Sequence, residues 1–196
     1  MWQSERTVPL IESLINCPNV GEVIVIDNNY LATPYLPTSD KIKHVQLPVN
    51  IMVNASWNIG ALMARCENLA IVNDDVNFNP EFLGIYSDGS LEHIGIVGMA
   101  SENYQLKNDN NIHLKKMHTR PYGWGCLMLI HISKYEPIPV ELLIANGDDW
   151  LAQYAEPFEL HGVAIQSEIS TTSRLPEFGM IQLNDNEVFN QKYKIK

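Results

Sequence analysis

The chain is poor in basic residues and in long apolar runs. Its 196 residues include 13 Lys and Arg against 23 Asp and Glu, a formal net charge of −10. Because general binding to nucleic acid depends largely on Lys and Arg meeting phosphates, this charge disfavours a nucleic-acid-binding protein. The apolar stretches are far shorter than a membrane span, and the first residues lack the apolar core of a signal peptide.

The number and spacing of the cysteine, histidine and glycine residues disfavour further classes of site. Cys17, Cys66 and Cys126 are odd in number and widely spaced, which disfavours a disulfide framework or a zinc site and favours a reducing compartment, the cytoplasm. The six histidines show no metal-ligand spacing. A glycine-rich phosphate loop of the Walker form is also missing, which disfavours metal-dependent phosphoryl or nucleotidyl transfer.

One short segment is basic within this acidic chain. Residues 107–120 contain Lys107, Lys115, Lys116, Arg120, His113 and His118, with Asp109 as the one acid. Such a strip favours the binding of an anionic substrate, and it is equally typical of a solvated edge hairpin guarded by lysine. Both interpretations remain open at this stage.

The first half of the chain alternates between helical and extended patterns. Its 45% hydrophobic content is enough for one buried domain over residues 1–196. Apolar residues recur at helical spacing after Thr7, and residues 22–27 are a β-branched run typical of a buried strand. A second helix is predicted with Asn54 as its cap, followed by a strand at 69–72. This order predicts an α/β fold with a mostly parallel sheet flanked by helices.

The second half is less regular. Residues 94–99 predict a buried strand, residues 103–120 a polar hairpin, and residues 127–130 another apolar strand. A helix is predicted to begin at residues 147–150, and a last helix is predicted with Asn184 in its capping box.

Acidic and amide side chains follow the predicted strands. Asp27 ends the first β-branched run, and the strand at 69–72 is followed directly by Asn73, Asp74 and Asp75. In an α/β sheet, the strand ends deliver side chains to the crevice where ligands bind. Adjacent carboxylates repel unless a proton, a cation or water offsets their charge, and oxygen ligands suit Mg²⁺ or Mn²⁺. We therefore predict a divalent metal here that holds a substrate diphosphate.

Four segments carry a resemblance to a known family. They are 25–29 (Val-Ile-Asp-Asn-Asn), 54–60 (Asn-Ala-Ser-Trp-Asn-Ile-Gly), 72–76 (Val-Asn-Asp-Asp-Val) and 147–150 (Gly-Asp-Asp-Trp). In order and rough spacing they resemble the GT-A-fold glycosyltransferases of the family 2 kind, over residues 1–170. The resemblance implies a single-domain α/β fold with a mixed, mostly parallel sheet. Its implied parts are a nucleotide-binding half (1–99), an acceptor-side half (100–170) and a C-terminal tail or helix (171–196).

The resemblance also implies roles on the donor side. Asp27 resembles the acid that contacts the nucleotide base or ribose, and Asn58 and Gly60 resemble the helix element beside the nucleotide. Asn73 and Asp75 match the two ends of the family's Asp-x-Asp motif, which makes Asp75 the implied ligand of Mn²⁺ or Mg²⁺.

On the acceptor side, Asp149 resembles the second acid of the family's Glu-Asp pair, the general base that deprotonates the acceptor hydroxyl. Asp148 stands where Glu is commoner. Attack through one base, with no protein nucleophile, predicts inversion at the anomeric carbon. Asp74 and Trp124 are assigned to the same nucleotide-sugar site.

Each assignment has a structural alternative. Asp27 is also compatible with a strand-end Asx turn, and Asp74 with a local hydrogen-bonding or outer-sphere role. Asp148 and Asp149 would favour a helix N-terminus through the macrodipole alone. Trp124, as a large aromatic residue, is equally typical of a core.

Two departures from the family bear on the site. The family starts with an apolar strand and a loop that holds the base, whereas this chain begins at residues 1–3 (Met-Trp-Gln), about where that loop ends. A sheet edge left open there favours pairing with another chain, so we predict a homodimer. The family also often carries a metal-binding histidine after its last strand, and residues 167–173 contain none. Metal binding would then depend on Asp75, the donor diphosphate and water.

The favoured function is a metal-dependent, inverting glycosyltransferase. It would move a sugar from a nucleoside-diphosphate donor to a hydroxyl of a glycan, lipid or protein. The alternative is a GT-A-like protein that binds nucleotide or glycan, or serves in an assembly, without turnover. Asp149 separates the two hypotheses, because a binding module has little use for a general base.

Overall fold

The computed structural model describes residues 5–28, 35–167 and 175–195. Asn29, the start at residues 1–3 and the segment 168–173, on which parts of the sequence interpretation depend, lie outside these residues. The helices are α1 (Thr7–Asn16), α2 (Met52–Met63), α3 (Leu91–Ile94), α4 (Gly147–Tyr154) and α5 (Pro176–Val188). The strands are β1 (Val23–Asp27), β2 (Ile42–Gln46), β3 (Asn68–Val72), β4 (Asn77–Phe78), β5 (Ile96–Met99), β6 (His113–Lys116), β7 (Leu127–His131), β8 (Pro157–His161) and β9 (Ile165–Gln166).

The strands form one five-stranded sheet and two strand pairs. The five-stranded sheet has the order β3-β7-β5-β8-β6, while β1 pairs with β2 and β4 pairs with β9. Strands β1 and β2 are parallel, as are β5 and β8. Strand β7 is antiparallel to both β3 and β5, and β6 is antiparallel to β8.

The α/β class and the mixed sheet are confirmed, but a mostly parallel sheet is wrong for the five-stranded part. Strand β7 runs back between β3 and β5, so both of its pairings are antiparallel. A continuous apolar run is typical of any strand buried on both faces. The sequence of β7 therefore predicted its burial without predicting its direction.

The core lies on the two faces of the sheet, and β5 and β7 are its centre. Every residue of these two strands is buried. One apolar cluster includes Leu10 and Leu14 of α1, and the other includes Trp150 and Leu151 of α4. Burial of such side chains is worth about 1.5–3 kcal/mol each before chain entropy is subtracted.

Several local predictions need correction. Thr7 lies inside α1 rather than capping it, and its hydroxyl donates to the carbonyl oxygen of Asp74 at 3.0 Å. Asn54 lies inside α2, where its amide donates to the carbonyls of Leu142 and Ala145. Asn184 is in the middle of α5. The side chains of Thr7 and Asn54 thus make tertiary hydrogen bonds instead of capping a helix.

The predicted hairpin at 103–120 is also wrong. This segment supplies a short 3₁₀ helix (Ser101–Gln105) and the single strand β6, which forms the outer edge of the five-stranded sheet. Lys115 and Lys116 lie on that edge strand and are exposed. Their position agrees with the guarding role of lysine at sheet edges.

Candidate active site

The loop after β3 carries the predicted donor-side residues. The backbone N–H of Asn73 donates to the carbonyl of Cys126 at 3.0 Å, which ties this loop to the residue before β7. The side chain of Asp75 accepts a hydrogen bond from the hydroxyl of Ser167 at 2.9 Å. Arg6, just before α1, donates to the carbonyl oxygen of Asp75 at 3.4 Å. The loop is therefore held from three sides, and its backbone is not free to reorient.

The Cys126 thiol marks the point where the two acidic segments meet. Burial raises the pKa of Cys126, hydrogen bonds with Tyr104 and Ser167 oppose this, and the negative charges of Asp75 and Asp148 raise it further. Both carboxylates therefore lie within electrostatic range of one buried sulfur atom, although they are separated by 73 positions in the chain. The structure thus brings Asp75 and Asp148 into one neighbourhood.

Asp148 and Asp149 open α4 and share one cation. A guanidinium N–H of Arg120 donates to a carboxylate oxygen of Asp148, and the Nε atom of Arg120 lies 3.3 Å from Asp149. Burial raises the pKa of Asp148, the charge of Arg120 opposes this, and the charge of Asp149 adds to it. When two carboxylates share a site, the negative charge of one raises the proton affinity of the other. Asp148 and Asp149 resemble such a pair.

The two acids differ in exposure. The side chain of Asp148 is 14% exposed, while that of Asp149 is 29% exposed and its second oxygen accepts from the amide of Asn146 at 3.1 Å. Gly125 packs against Asp148 so closely that a Cβ atom there would lie 2.6 Å from its carboxylate oxygen. Asp148 is thus the enclosed acid of the pair, and Asp149 is the more exposed one.

Asp27 ends β1 and contacts the neighbouring strand β2. It is 3% exposed, and its carboxylate lies 3.3 Å from the Nε2 atom of His44 on the neighbouring strand β2. Its position at the end of β1 is as predicted. A role toward a nucleotide base or ribose stays a prediction.

The helix residues assigned to the nucleotide have contrasting surroundings. The amide oxygen of Asn58 accepts from the Tyr135 hydroxyl and from the backbone N–H of Ile138, both at 2.9 Å, and its amide nitrogen donates to Ile138. Asn58 therefore fastens α2 to the segment before α4. A Cβ atom added at Gly60 would meet no atom within 4 Å. Their roles beside a nucleotide stay predictions.

Trp124 is a core residue. It is 1% exposed, its indole N–H donates to the carbonyl of Phe158 at 2.9 Å, and a Cβ atom at Gly98 would lie 2.4 Å from its ring. The ring packs against β5, and its N–H already has a hydrogen-bond partner. It therefore offers no free face to a sugar. We therefore remove Trp124 from the site, in favour of the core alternative.

Sequence reasoning missed four members of this neighbourhood: Tyr104, Arg120, Cys126 and Ser167. Arg120 had one usable signal, since it ends the basic strip, but its partners are 28 and 29 positions away. Tyr104 donates its hydroxyl to the carbonyl of Gly123 at 2.6 Å, and burial raises its pKa. Nothing in the local sequence marks Tyr104 or Ser167.

The protein ligands alone do not complete a divalent-metal site. Among residues 5–28, 35–167 and 175–195, no group of three or more His, Cys, Asp or Glu side chains could hold a metal ion. Mg²⁺ and Mn²⁺ commonly take one or two carboxylates together with substrate phosphates and water. Asp75 alone is compatible with that pattern only when a donor supplies the other ligands.

Comparison with known proteins supports the fold. No protein-family model and no curated protein sequence matches the chain. Among solved structures, it is similar to residues 1–349 of TarS from S. aureus, a glycosyltransferase, with a TM-score of 0.59 at 14% identity. The match covers 100% of this chain and 74% of that chain. The fold is glycosyltransferase-like.

A further property of the helices concerns membrane crossing. Across the described parts of the chain, no helix combines the length and the apolarity that crossing a bilayer requires.

Proposed function

We propose that the protein is a glycosyltransferase that moves a sugar from a nucleoside-diphosphate donor to an acceptor hydroxyl. The observation that supports this most is geometric: the loop of Asp75 is hydrogen-bonded to Cys126, and the neighbouring Gly125 packs against Asp148 at the start of α4, on a glycosyltransferase-like fold. Sugar transfer requires one region for the diphosphate and one for the attacking hydroxyl, and a strand-end acid close to a helix-start acid supplies a group for each.

Asp149 is the proposed general base. A hydroxyl is a weak nucleophile, so its proton must leave as the oxygen attacks the anomeric carbon. The Asp149 side chain is the more exposed member of the pair and is held at both oxygens, by Arg120 and by Asn146. Two contacts fix the direction of the carboxylate, which favours proton transfer along one path. With no protein nucleophile, the product would be inverted.

Asp148 and Arg120 are the proposed supports of this base. Arg120 is bound to both acids, so it offsets two negative charges that would otherwise repel each other. Because Asp148 is the enclosed partner, its role is to hold Arg120 in place rather than to touch substrate. Asp75 is the proposed contact to the donor diphosphate, with Mg²⁺ or Mn²⁺ between them.

The test is an assay of donor breakdown and transfer. Purified protein is first titrated by calorimetry with UDP, GDP, CDP and TDP, with and without Mn²⁺. Any sugar donor of a base that binds is then incubated with the protein, and release of nucleoside diphosphate is followed over hours. Slow donor hydrolysis that requires the folded protein supports an enzyme. Binding without hydrolysis or transfer to a panel of glycan acceptors would overturn catalysis.

A second candidate is a non-catalytic protein that binds nucleotide or glycan. One observation favours it: Arg120 already contacts Asp149, and a base engaged by a guanidinium is less available to a hydroxyl. In that case Asp149→Asn would change neither ligand affinity nor any turnover. The assay of donor hydrolysis and transfer therefore separates the two candidates, because donor affinity is expected to be the same in both.

A further inference from the structure

Asn146, the residue before α4, has a left-handed backbone with φ 60° and ψ 10°. Residues with a Cβ atom adopt this conformation rarely, and asparagine is one of the few that tolerate it. The residue before a helix ordinarily has an extended backbone instead. The conformation of Asn146 therefore costs free energy that a usual helix start does not cost.

The side chain of Asn146 does not cap the helix. An asparagine at this position ordinarily accepts a hydrogen bond from the backbone N–H of the second or third helical residue. Asn146 makes no such bond, and the N–H of Asp149 donates instead to the side chain of Asp148 at 3.0 Å. Helix capping therefore does not explain an asparagine here.

The amide of Asn146 faces the proposed base. Its nitrogen donates to a carboxylate oxygen of Asp149 at 3.1 Å, three residues further along the chain. A carboxylate only accepts hydrogen bonds, so the amide nitrogen, and not the amide oxygen, is the atom that belongs on this side. The charge of Asp149 thus determines the orientation of the amide.

This orientation leaves the amide oxygen without a partner. The Oδ1 atom of Asn146 is buried, and none of the groups that the structure describes donates a hydrogen bond to it. A buried polar atom without a partner is unfavourable. Asn146 is thus unfavourable both in its backbone and at its Oδ1 atom, and what it makes in return is the contact with Asp149.

The chain on both sides holds Asn146 in this conformation. The N–H of Ala145 donates to Asp185 at 2.8 Å, and the carbonyl of Ala145 accepts from the side chain of Asn54 at 3.0 Å. Asn54 and Asp185 are both buried. On the helix side, the carbonyl of Asn146 accepts from the N–H of Trp150 at 2.8 Å. These bonds oppose any rotation that would relax the left-handed backbone.

Gly147 shows how closely this turn is packed. A Cβ atom there would lie 2.3 Å from the Oδ1 atom of Asn54. Helix α4 therefore starts against α2 with no room for a side chain. The backbone that leads from Asn146 to Asp149 consequently has little freedom.

The two contacts of the Asp149 carboxylate differ in rigidity. One oxygen lies 3.3 Å from the Nε atom of Arg120, and the other accepts from Asn146. Arg120 has a long side chain that is 44% exposed and divides its contacts between Asp148 and Asp149. Asn146 has a short side chain on a fixed backbone. Of the two, Asn146 is therefore better suited to set the direction of the carboxylate.

We infer that Asn146 is a positioning residue, whose left-handed backbone directs its amide at Asp149 and thereby orients that carboxylate for the acceptor hydroxyl. This role rests on the proposed transferase function and adds to it a residue that favours turnover over stability. A helix start selected for stability alone would have glycine in this conformation, or a capping side chain on an extended backbone.

The test compares Asn146→Gly with Asn111→Gly. Both residues are asparagines with a positive φ, of 60° and 40°, and glycine adopts such angles without strain. Asn111 is exposed and lies in the loop before β6. The control therefore makes the same change of backbone freedom without removing the amide that binds Asp149.

Transfer is measured at steady state, donor affinity by calorimetry and stability by urea unfolding. We expect Asn146→Gly to lower kcat by about 10- to 100-fold, since misplacing a reacting group by about 1 Å costs up to that factor. Its donor Kd and urea midpoint should stay close to those of the natural protein, because relief of strain offsets the lost hydrogen bond. Asn111→Gly should keep the natural kcat and Kd.

Two further variants test the contact itself. Asn146→Asp keeps the shape of the side chain but replaces the N–H donor with a second carboxylate, so kcat is expected to fall at least as far as in Asn146→Gly. In Asp149→Asn, residual transfer is followed with labelled donor over hours. Adding Asn146→Gly there should lower it no further, because Asn146 acts through Asp149.

Several results would overturn the role of Asn146 alone. They are a natural kcat in Asn146→Gly or in Asn146→Asp, an equal loss of kcat in Asn111→Gly, and a further loss when Asn146→Gly is added to Asp149→Asn. Failure of Asn146→Gly to fold would also overturn it, since the residue would then serve the fold. In each case the natural protein still turns over donor, so the transferase proposal stands. No turnover by the natural protein would overturn both.

Discussion

The Nε atom of Arg120 lies 3.3 Å from a carboxylate oxygen of Asp149, which joins the basic strip to the acidic start of α4. A second guanidinium nitrogen of the same residue contacts Asp148. One cation from a segment that precedes β7 thus organises both candidate catalytic acids. In the proposed mechanism, both acids depend on keeping that cation in place.

Arg120→Met is expected to destabilise the protein by about 1–3 kcal/mol, because it leaves two neighbouring carboxylates without their partner. The lower half of this range is favoured, since the Arg120 side chain is 44% exposed and solvent screens part of the interaction. Urea unfolding at pH 7 measures the change. Adding Asp148→Asn to Arg120→Met should restore part of the loss, and Lys107→Met, in the same basic strip, serves as the matched control. A loss that the second substitution leaves unchanged would contradict the charge argument.

The raised pKa of Asp148 predicts a pH dependence of stability. Because the folded state holds this proton more tightly than the unfolded state does, the unfolded state ionises first as the pH rises. The contribution of Asp148 to the free energy of unfolding is therefore largest below the unfolded pKa of about 3.9 and declines as the pH rises toward the higher folded value. Unfolding of the natural protein and of Asp148→Asn, compared at several pH values from 4 to 7, should show the natural protein losing stability relative to the variant. If the natural protein instead gained stability relative to Asp148→Asn as the pH rises, burial would not be what sets the pKa of Asp148.

Asp149→Asn is expected to lower sugar transfer by about 10²- to 10⁴-fold while donor affinity stays nearly unchanged, since an amide keeps the shape of the side chain but accepts no proton. The measurements are steady-state transfer and calorimetry with the donor. Asp88→Asn, an exposed acid bonded to Ser90, is the control and should match the natural protein. Transfer by Asp149→Asn at the parental rate would remove Asp149 as the base.

The parts of the fold that could be predicted from the sequence are those that local apolar patterns indicate. The β-branched run at 22–27 became β1, the run at 69–72 became β3, and the periodic segment after Thr7 became α1. The acids that follow β1 and β3 are at strand ends, as expected. Each of these features needs only a few consecutive residues to be recognised.

What could not be predicted depends on residues distant in sequence. The direction of β7, the partnership of Arg120 with the start of α4, and the hydrogen bond from Ser167 to Asp75 each join segments that only the folded chain brings together. Trp124 shows the same limit, because its burial follows from Gly98 on a neighbouring strand. Local patterns therefore located the candidate acids but not the groups that hold them.

Asp185 of α5 is a further residue of this kind, and it predicts an effect on the site from a distance. It is fully buried, and one of its oxygens accepts three backbone N–H groups, from Leu143, Ile144 and Ala145, at 3.0, 2.7 and 2.8 Å. These residues lead directly into α4. Asp185→Ala is expected to cost about 2–4 kcal/mol of stability, since three buried donors lose a charged acceptor.

The readout for Asp185→Ala is urea unfolding together with transfer activity at a temperature where the variant remains folded. Transfer should fall even there, because the segment that orients Asp149 is released. Glu187→Ala, which removes an exposed acid from the same helix, is the matched control. It should lose little stability and little transfer activity. Loss of stability with full activity would show that the 143–145 segment does not position the acids.

Asp75→Asn is expected to weaken donor binding itself, in contrast to Asp149→Asn. If the diphosphate reaches Asp75 through Mn²⁺ or Mg²⁺, losing the carboxylate charge removes a contact at least as strong as a charged hydrogen bond, or about 10- to 100-fold in Kd. Calorimetry with the donor, first with Mn²⁺ and then with excess EDTA, separates the metal-dependent part of the donor affinity from the metal-independent part. The natural protein should lose affinity on chelation, whereas Asp75→Asn should already bind weakly and respond little. Donor affinity that is the same with Mn²⁺ and with EDTA in the natural protein would show that Asp75 meets the diphosphate, if at all, without a metal.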